Sequence, residues 1–126
     1  MNLTLSKSPL WIITDIDGTL MDHSYDFSPA LPTIKWLQSL DIPVIPCTSK
    51  TASEVREIRK SIGLKDPFIV ENGGAIYGQN LSSGKEWELV LGKSYDFLRT
   101  KLDLISKEIG YKLKPLNDLS NEEIFN

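Results

Sequence analysis

The chain has 126 residues, 40% hydrophobic and 25% charged, the size and balance of one modest globular domain. Its net charge of −3 argues against a general nucleic-acid binder, which would carry a basic face, yet its Lys and Arg total of 14 leaves cations for an anionic ligand. Cys47 is the only cysteine, which excludes an internal disulfide and favours a reducing, cytoplasmic compartment. Met1–Ser8 is short and polar, without the apolar core of a signal peptide. No apolar run approaches the ~20 residues of a membrane span, and Asn80-Leu81-Ser82 matches a glycosylation pattern by chance, given no secretion signal.

In chain order, Leu10–Thr14 is a short apolar run with β-branched residues, which predicts a strand buried on both faces. A loop follows through Pro29. Leu31, Ile34, Leu37 and Leu40 recur at helical spacing and predict a helix ending near Asp41. Ile42–Cys47 predicts a second strand despite two prolines. Thr51 and Glu54 have capping-box spacing, and Val55, Ile58 and Ile62 make the apolar stripe of a second helix that stops at Gly63. Pro67–Val70 is a third strand. Strand–helix–strand–helix–strand order predicts an α/β fold with a parallel sheet and right-handed crossovers.

Composition shifts after Gly78. Asn80–Lys85 is a polar connection, Trp87–Leu91 a further strand, and Tyr95, Leu98, Leu102, Ile105 and Ile109 the stripe of a helix ending at Gly110. Ser120 and Glu123 repeat the capping-box spacing just before Asn126, so a truncated second region is expected. Trp11, Trp36, Phe68 and Cys47 are read as core, and His23 as a surface loop residue.

Three polar clusters follow the three strands: Asp15-Ile16-Asp17-Gly18-Thr19, Thr48-Ser49-Lys50 and Glu71-Asn72-Gly73-Gly74. In open α/β sheets, ligands bind beyond the carboxyl ends of strands. A carboxylate there can attack phosphorus, a second can protonate the leaving oxygen and then activate water, and a hard cation such as Mg²⁺ offsets the repulsion between anions. Asp15 and Asp17 can divide these roles and hold the metal, while Gly18 permits the unusual turn beside them. The simpler reading of Asp-x-Asp-Gly is a turn after a strand. Thr48 and the amides opening the second helix can cradle a phosphate, although Ser49 or Thr51 can equally be plain helix caps. Lys50 can touch an anionic substrate or sit in solvent. Glu71-Asn72-Gly73 can face the crevice, form a hairpin turn into Ala75-Ile76-Tyr77, or both.

Asp15-Ile16-Asp17-Gly18-Thr19-Leu20 resembles the first signature of the haloacid dehalogenase superfamily of phosphatases. Cys47-Thr48-Ser49-Lys50-Thr51 and Ile69-Val70-Glu71-Asn72-Gly73-Gly74-Ala75-Ile76-Tyr77 narrow the resemblance to the mannosyl-3-phosphoglycerate phosphatase group and its sucrose-phosphate and glucosyl-phosphoglycerate relatives. The likeness runs from Leu10 to Tyr77, more faintly through Phe125. It implies a Rossmann-like parallel core with an inserted α/β cap. It also implies Asp15 as nucleophile and Mg²⁺ ligand, and Asp17 as acid/base with its carbonyl on the metal. Thr48, with Ser49 and Lys50 beside it, is implied on the phosphoryl group, and Glu71, Asn72 and Gly73 on the substrate side.

The family's later signatures, a phosphate-screening lysine and a Gly-Asp-x-x-Asn-Asp stretch, are absent, and Asn117-Asp118 lacks the preceding strand that would make it a substitute. Residues 1–79 are therefore expected to form an incomplete core and 80–126 the start of a truncated cap. The first strand, central in this fold, is then expected to expose apolar side chains and to drive self-association or recruit a partner chain. The leading functional expectation is Mg²⁺-dependent hydrolysis of a phosphorylated glycosyl-glycerate or sugar, weak or absent in this chain alone. The alternative is a non-catalytic remnant or subunit that binds a phosphorylated ligand or partner. Phosphotransfer to another acceptor, as in phosphomutases of the superfamily, shares the Asp15 chemistry.

Overall fold

The computed structural model describes residues 9–80, 82–120 and 122–123. The polar leader Met1–Ser8, the middle of the Asn80-Leu81-Ser82 pattern and the last three residues lie outside them. Two compact units divide the chain, Met1–Gly92 and Lys93–Asn126.

The first unit follows the strand and helix order expected from periodicity. Strands β1 (Ile12–Thr14) and β2 (Val44–Pro46) pair in parallel, Ile12 opposite Val44. A parallel bridge from Cys47 to Ile69 lays β3 (Phe68–Val70) beside β2. Beyond β3 the direction alternates: β4 (Ala75–Gln79) and β5 (Glu86–Val90) continue as an antiparallel meander. The change of direction has a local cause. Between β3 and β4 there is room only for a tight turn, and parallel neighbours require a long crossover. The pairing of β5 with β4 carries the first unit past the composition shift at Gly78 to Gly92.

Of the two prolines, Pro43 precedes β2 and Pro46 ends it without breaking the pairing. The donors that hold this strand end come from Cys47, whose N–H reaches Thr14 O at 2.8 Å, and Thr48, whose N–H reaches Ile69 O at 3.1 Å. Pro46 has no N–H to lose there. The Val44 N–H, with no β3 partner at that level, is taken by Asp66 Oδ2 at 2.9 Å.

Helix α1 (Leu31–Ser39) carries Pro32 near its start, where a missing N–H costs nothing. Helix α2 (Ala52–Ile62) opens on the expected capping box, Glu54 accepting from the Thr51 N–H at 2.9 Å and its hydroxyl at 2.6 Å. It closes on Gly63 at φ +73°, a left-handed cap that a side chain would strain. Two apolar clusters form the core. One gathers Ile16, Met21, Val55, Phe68, Val70 and Ala75, and the other Ile34, Val44, Ile62 and Leu64. Phe68 is fully buried, stacked on Tyr77 at 5.4 Å between ring centroids and covered by the Arg59 guanidinium. Burial weakens the grip of Arg59 on its proton, partly opposed by Asp66.

Three core expectations are corrected. Leu10–Thr14 is not buried on both faces: Ile12 is 38% exposed and Ile13 57%. Trp11 and Trp36 are also largely exposed. β1 has β2 on one side and no partner strand on the other among the described residues, so side chains suited to burial meet solvent. Cys47 is half-buried rather than enclosed.

In the second unit, α3 (Tyr95–Ile109) is capped by Ser94, which accepts from the Phe97 N–H at 3.3 Å. Arg99 grips Asp118 with both terminal guanidinium nitrogens, so that acid is committed to an ion pair. Ser120 and Glu123 exchange both capping-box bonds, at 2.9 and 3.3 Å. Among the described residues, no helix is long and apolar enough to cross a membrane.

Candidate active site

The first rim segment alternates. Ile16 is fully buried while Asp15 and Asp17 on either side are exposed. A strand-like alternation at the end of β1 thus throws two carboxylates outward and anchors the peptide between them in the core. Gly18 at φ +72° turns the chain back. Its N–H donates to Met21 O at 2.7 Å, and the Met21 N–H donates to Ile16 O at 2.9 Å. Asp15 Oδ1 accepts from the Ile16 N–H at 2.7 Å.

The second segment leaves β2. Thr48 is 4% exposed, and its Oγ1 accepts from the Lys50 N–H at 3.3 Å. Lys50 Nζ donates to Asp17 Oδ1 at 3.0 Å. That carboxylate holds the ammonium above its ordinary pKa, against the opposing effect of desolvation.

The third segment leaves β3. Glu71 and Asn72 take left-handed φ values of 52° and 56°, and Gly73 follows at 90°. Left-handed backbone costs a non-glycine residue about 1 kcal/mol, less for Asn. The geometry returns two bonds to the second segment: the Glu71 N–H donates to Lys50 O at 3.0 Å and the Asn72 N–H to Thr48 O at 3.1 Å. The same residues close the β3–β4 hairpin, Val70 opposite Ala75. Hairpin turn and rim segment are therefore one object.

Asp15, Cys47, Thr48, Ser49 and Asn72 line one open crevice of about 360 Å³. Asp17 and Lys50 stand joined beside it. Glu71 and Gly73 belong to the turn but not to the crevice lining. Sequence reasoning missed Cys47 as a wall of the crevice, although its place directly before Thr48 was the available signal. It also missed the Lys50–Asp17 pair, for which nothing local gives a sign.

The donor chemistry suits a hard divalent ion in part. Mg²⁺ commonly takes one or two carboxylates, keeps waters and borrows oxygens from a bound phosphate. The Asp15–Asp17 segment offers that minimum. Among the described residues, no three His, Cys, Asp or Glu side chains gather into a fuller cage.

A family model described as haloacid dehalogenase-like hydrolase matches residues 12–88. A glucosyl-3-phosphoglycerate/mannosyl-3-phosphoglycerate phosphatase of Persephonella marina is 37% identical over 123 residues, covering 90% of this chain and 45% of the relative. Among solved structures, a haloacid dehalogenase-like hydrolase from B. subtilis superposes with a TM-score of 0.60 at 22% identity, over 79% of this chain and 34% of that one. A Thermoplasma acidophilum protein gives 0.62 at 18% identity, over 92% and 53%. The chain thus spans less than half the length of the curated relative, and the structural matches speak for the fold. The rim that gathers Asp15, Thr48 and Asn72 lies within the matched span, and the chain belongs to the haloacid dehalogenase-like hydrolases.

Proposed function

We propose that this chain carries the nucleophile half of a phosphomonoester hydrolase acting on a phosphorylated glycosyl-glycerate or sugar. The observation that carries the proposal is the Asp15 carboxylate opening onto a crevice walled by Thr48, Ser49 and Asn72. Asp15 attacks phosphorus, the ester P–O bond breaks, and Asp17 gives its proton to the departing oxygen. Asp17 then takes a proton from water as that water attacks the aspartyl-phosphate, releasing phosphate and freeing Asp15. Thr48 Oγ1 accepts from the Lys50 N–H, which leaves its own O–H to donate to a phosphoryl oxygen. Ser49 and Asn72 supply further donors at the wall. Mg²⁺, held by Asp15 and the Asp17 segment, would offset the repulsion between carboxylate and phosphate. The 37%-identical relative, a glucosyl-3-phosphoglycerate/mannosyl-3-phosphoglycerate phosphatase, supports the substrate class.

Residues 1–79 are read as the core portion bearing the nucleophile and phosphate loops. Residues 80–126, whose β5 strand pairs with β4, are read as the start of a cap. The exposed apolar run Leu10–Ile13, which leads into and begins β1, favours a second reading, in which the chain works only with a polypeptide that covers β1.

The test measures phosphate release from mannosyl-3-phosphoglycerate in Mg²⁺. It uses this chain alone and this chain mixed with a polypeptide matching the remainder of the relative. Release that vanishes in Asp15→Asn supports the proposal, and restriction of release to the mixture supports the second reading. Release indifferent to Asp15→Asn, or none in either arrangement, refutes hydrolysis at this site.

A further inference from the structure

The two acids of the rim are held in different ways. The Asp15 carboxylate accepts from the neighbouring Ile16 N–H, and Asp15 lines the crevice. Asp17 accepts the ammonium of Lys50, delivered from the segment after β2. Exposed lysine pairs are usually weak because a long flexible side chain must be immobilised. Lys50 differs from that case. Its side chain is only 18% exposed against 46% for Asp17. Its backbone is fixed at both ends, the N–H by Thr48 Oγ1 and the carbonyl by the Glu71 N–H. Much of the ordering cost is therefore met by the loops themselves. Glu54, the next acid along, is occupied by Thr51 and does not compete for the ammonium at hydrogen-bond distance.

We propose that Lys50 is a positioning residue that claims the Asp17 carboxylate, so that Asp15 alone is offered to a divalent ion and to phosphorus. The idea rests on the hydrolase reading above and adds to it a division of labour between two chemically identical acids. With Lys50 in place, the pair of acids and the ammonium carry one net negative charge. Without it they carry two, and Asp17 is free to turn onto the ion and chelate it together with Asp15. A phosphatase needs the first arrangement, because Asp17 held through Oδ1 alone keeps its other oxygen for the proton exchanged with the leaving group and with water, whereas a carboxylate bound to metal cannot carry that proton.

The consequence is a metal site that becomes tighter when a lysine is removed. Losing one positive charge beside a divalent ion in near-aqueous surroundings would change affinity by about tenfold. Mg²⁺ is titrated calorimetrically into the full chain and into Lys50→Met and Lys50→Arg. Met keeps the covered aliphatic stem, and Arg restores the charge. Lys50→Met is expected to bind Mg²⁺ about tenfold more tightly, with Lys50→Arg close to the unchanged chain. In the metal-free chain, the Lys50 ammonium is expected to give a slowly exchanging ¹H–¹⁵N resonance that disappears in Asp17→Asn. Affinity in Lys50→Met equal to or weaker than that of the unchanged chain overturns this proposal and leaves the hydrolase reading standing. So does an ammonium resonance indifferent to Asp17→Asn. If no variant takes up Mg²⁺ while the resonance still depends on Asp17, the metal reading falls and this proposal with it.

Discussion

Gly78 faces Trp87 across the β4–β5 ladder, and a methyl group added to it should reverse its effect on stability according to whether that indole is present. A Cβ built on Gly78 would stand 2.3 Å from Trp87 Cζ2, 2.6 Å from Cε2 and 3.0 Å from Nε1. These atoms belong to a rigid fused ring, so the clash cannot be relieved by bending a flexible tip. The whole indole must rotate off the strand. Overpacking of this kind costs about 1–3 kcal/mol. Against it stands the roughly 0.5–1 kcal/mol that alanine gains over glycine inside a strand. Gly78→Ala should therefore destabilise the chain by about 1–2 kcal/mol. In a Trp87→Ala background the clash is gone, and the same substitution should stabilise by about 0.5–1 kcal/mol. The assay is urea unfolding of the four proteins followed by far-ultraviolet circular dichroism, at one fixed protein concentration so that association does not shift the midpoints. The two substitutions should couple by about 2 kcal/mol. An equal effect of Gly78→Ala in both backgrounds would refute the reasoning and mean that the ring does not rest on Gly78.

Acid should weaken the first unit through Glu54 and Glu86. Hydrogen bonds from Thr51 lower the pKa of Glu54, and the Arg56 guanidinium lowers that of Glu86. A depressed folded pKa gives stability that is complete above the unfolded value of about 4.3 and is lost as pH falls through the folded value. The urea midpoint should thus hold steady from neutrality to about pH 5 and then decline. Glu86→Gln should lie below the unchanged chain at neutral pH and converge with it in acid, and parallel curves would exclude the Arg56 pair as a contributor. At the other end of the sheet, Ile13 is 57% exposed. Ile13→Lys should therefore change monomer stability by less than about 0.5 kcal/mol while reducing self-association in sedimentation velocity. An unchanged chain that sediments as a monomer at all concentrations would remove the case for association through β1.

Local chemistry made much of this protein legible in its sequence. The Thr51–Glu54 spacing specified a helix start, and the Ser120–Glu123 spacing its two hydrogen bonds, because a capping box closes within four residues. The Asp15-Ile16-Asp17-Gly18 string marked two acids at a strand end because a strand end and its turn are local features, whereas the burial of Ile16 between them came from the structure. Asn72-Gly73 was readable both as a hairpin turn and as part of the rim; both residues are in the turn, and Asn72 of the two lines the crevice. Other features waited for the tertiary structure. Which cation meets which acid, Lys50 with Asp17, depends on how two distant loops approach each other. The contact of Trp87 with Gly78 depends on strand register. The run Leu10–Ile13 announced a buried strand, yet it lies half open. Hydrophobicity is a property of a side chain, whereas burial also requires a neighbour to cover it.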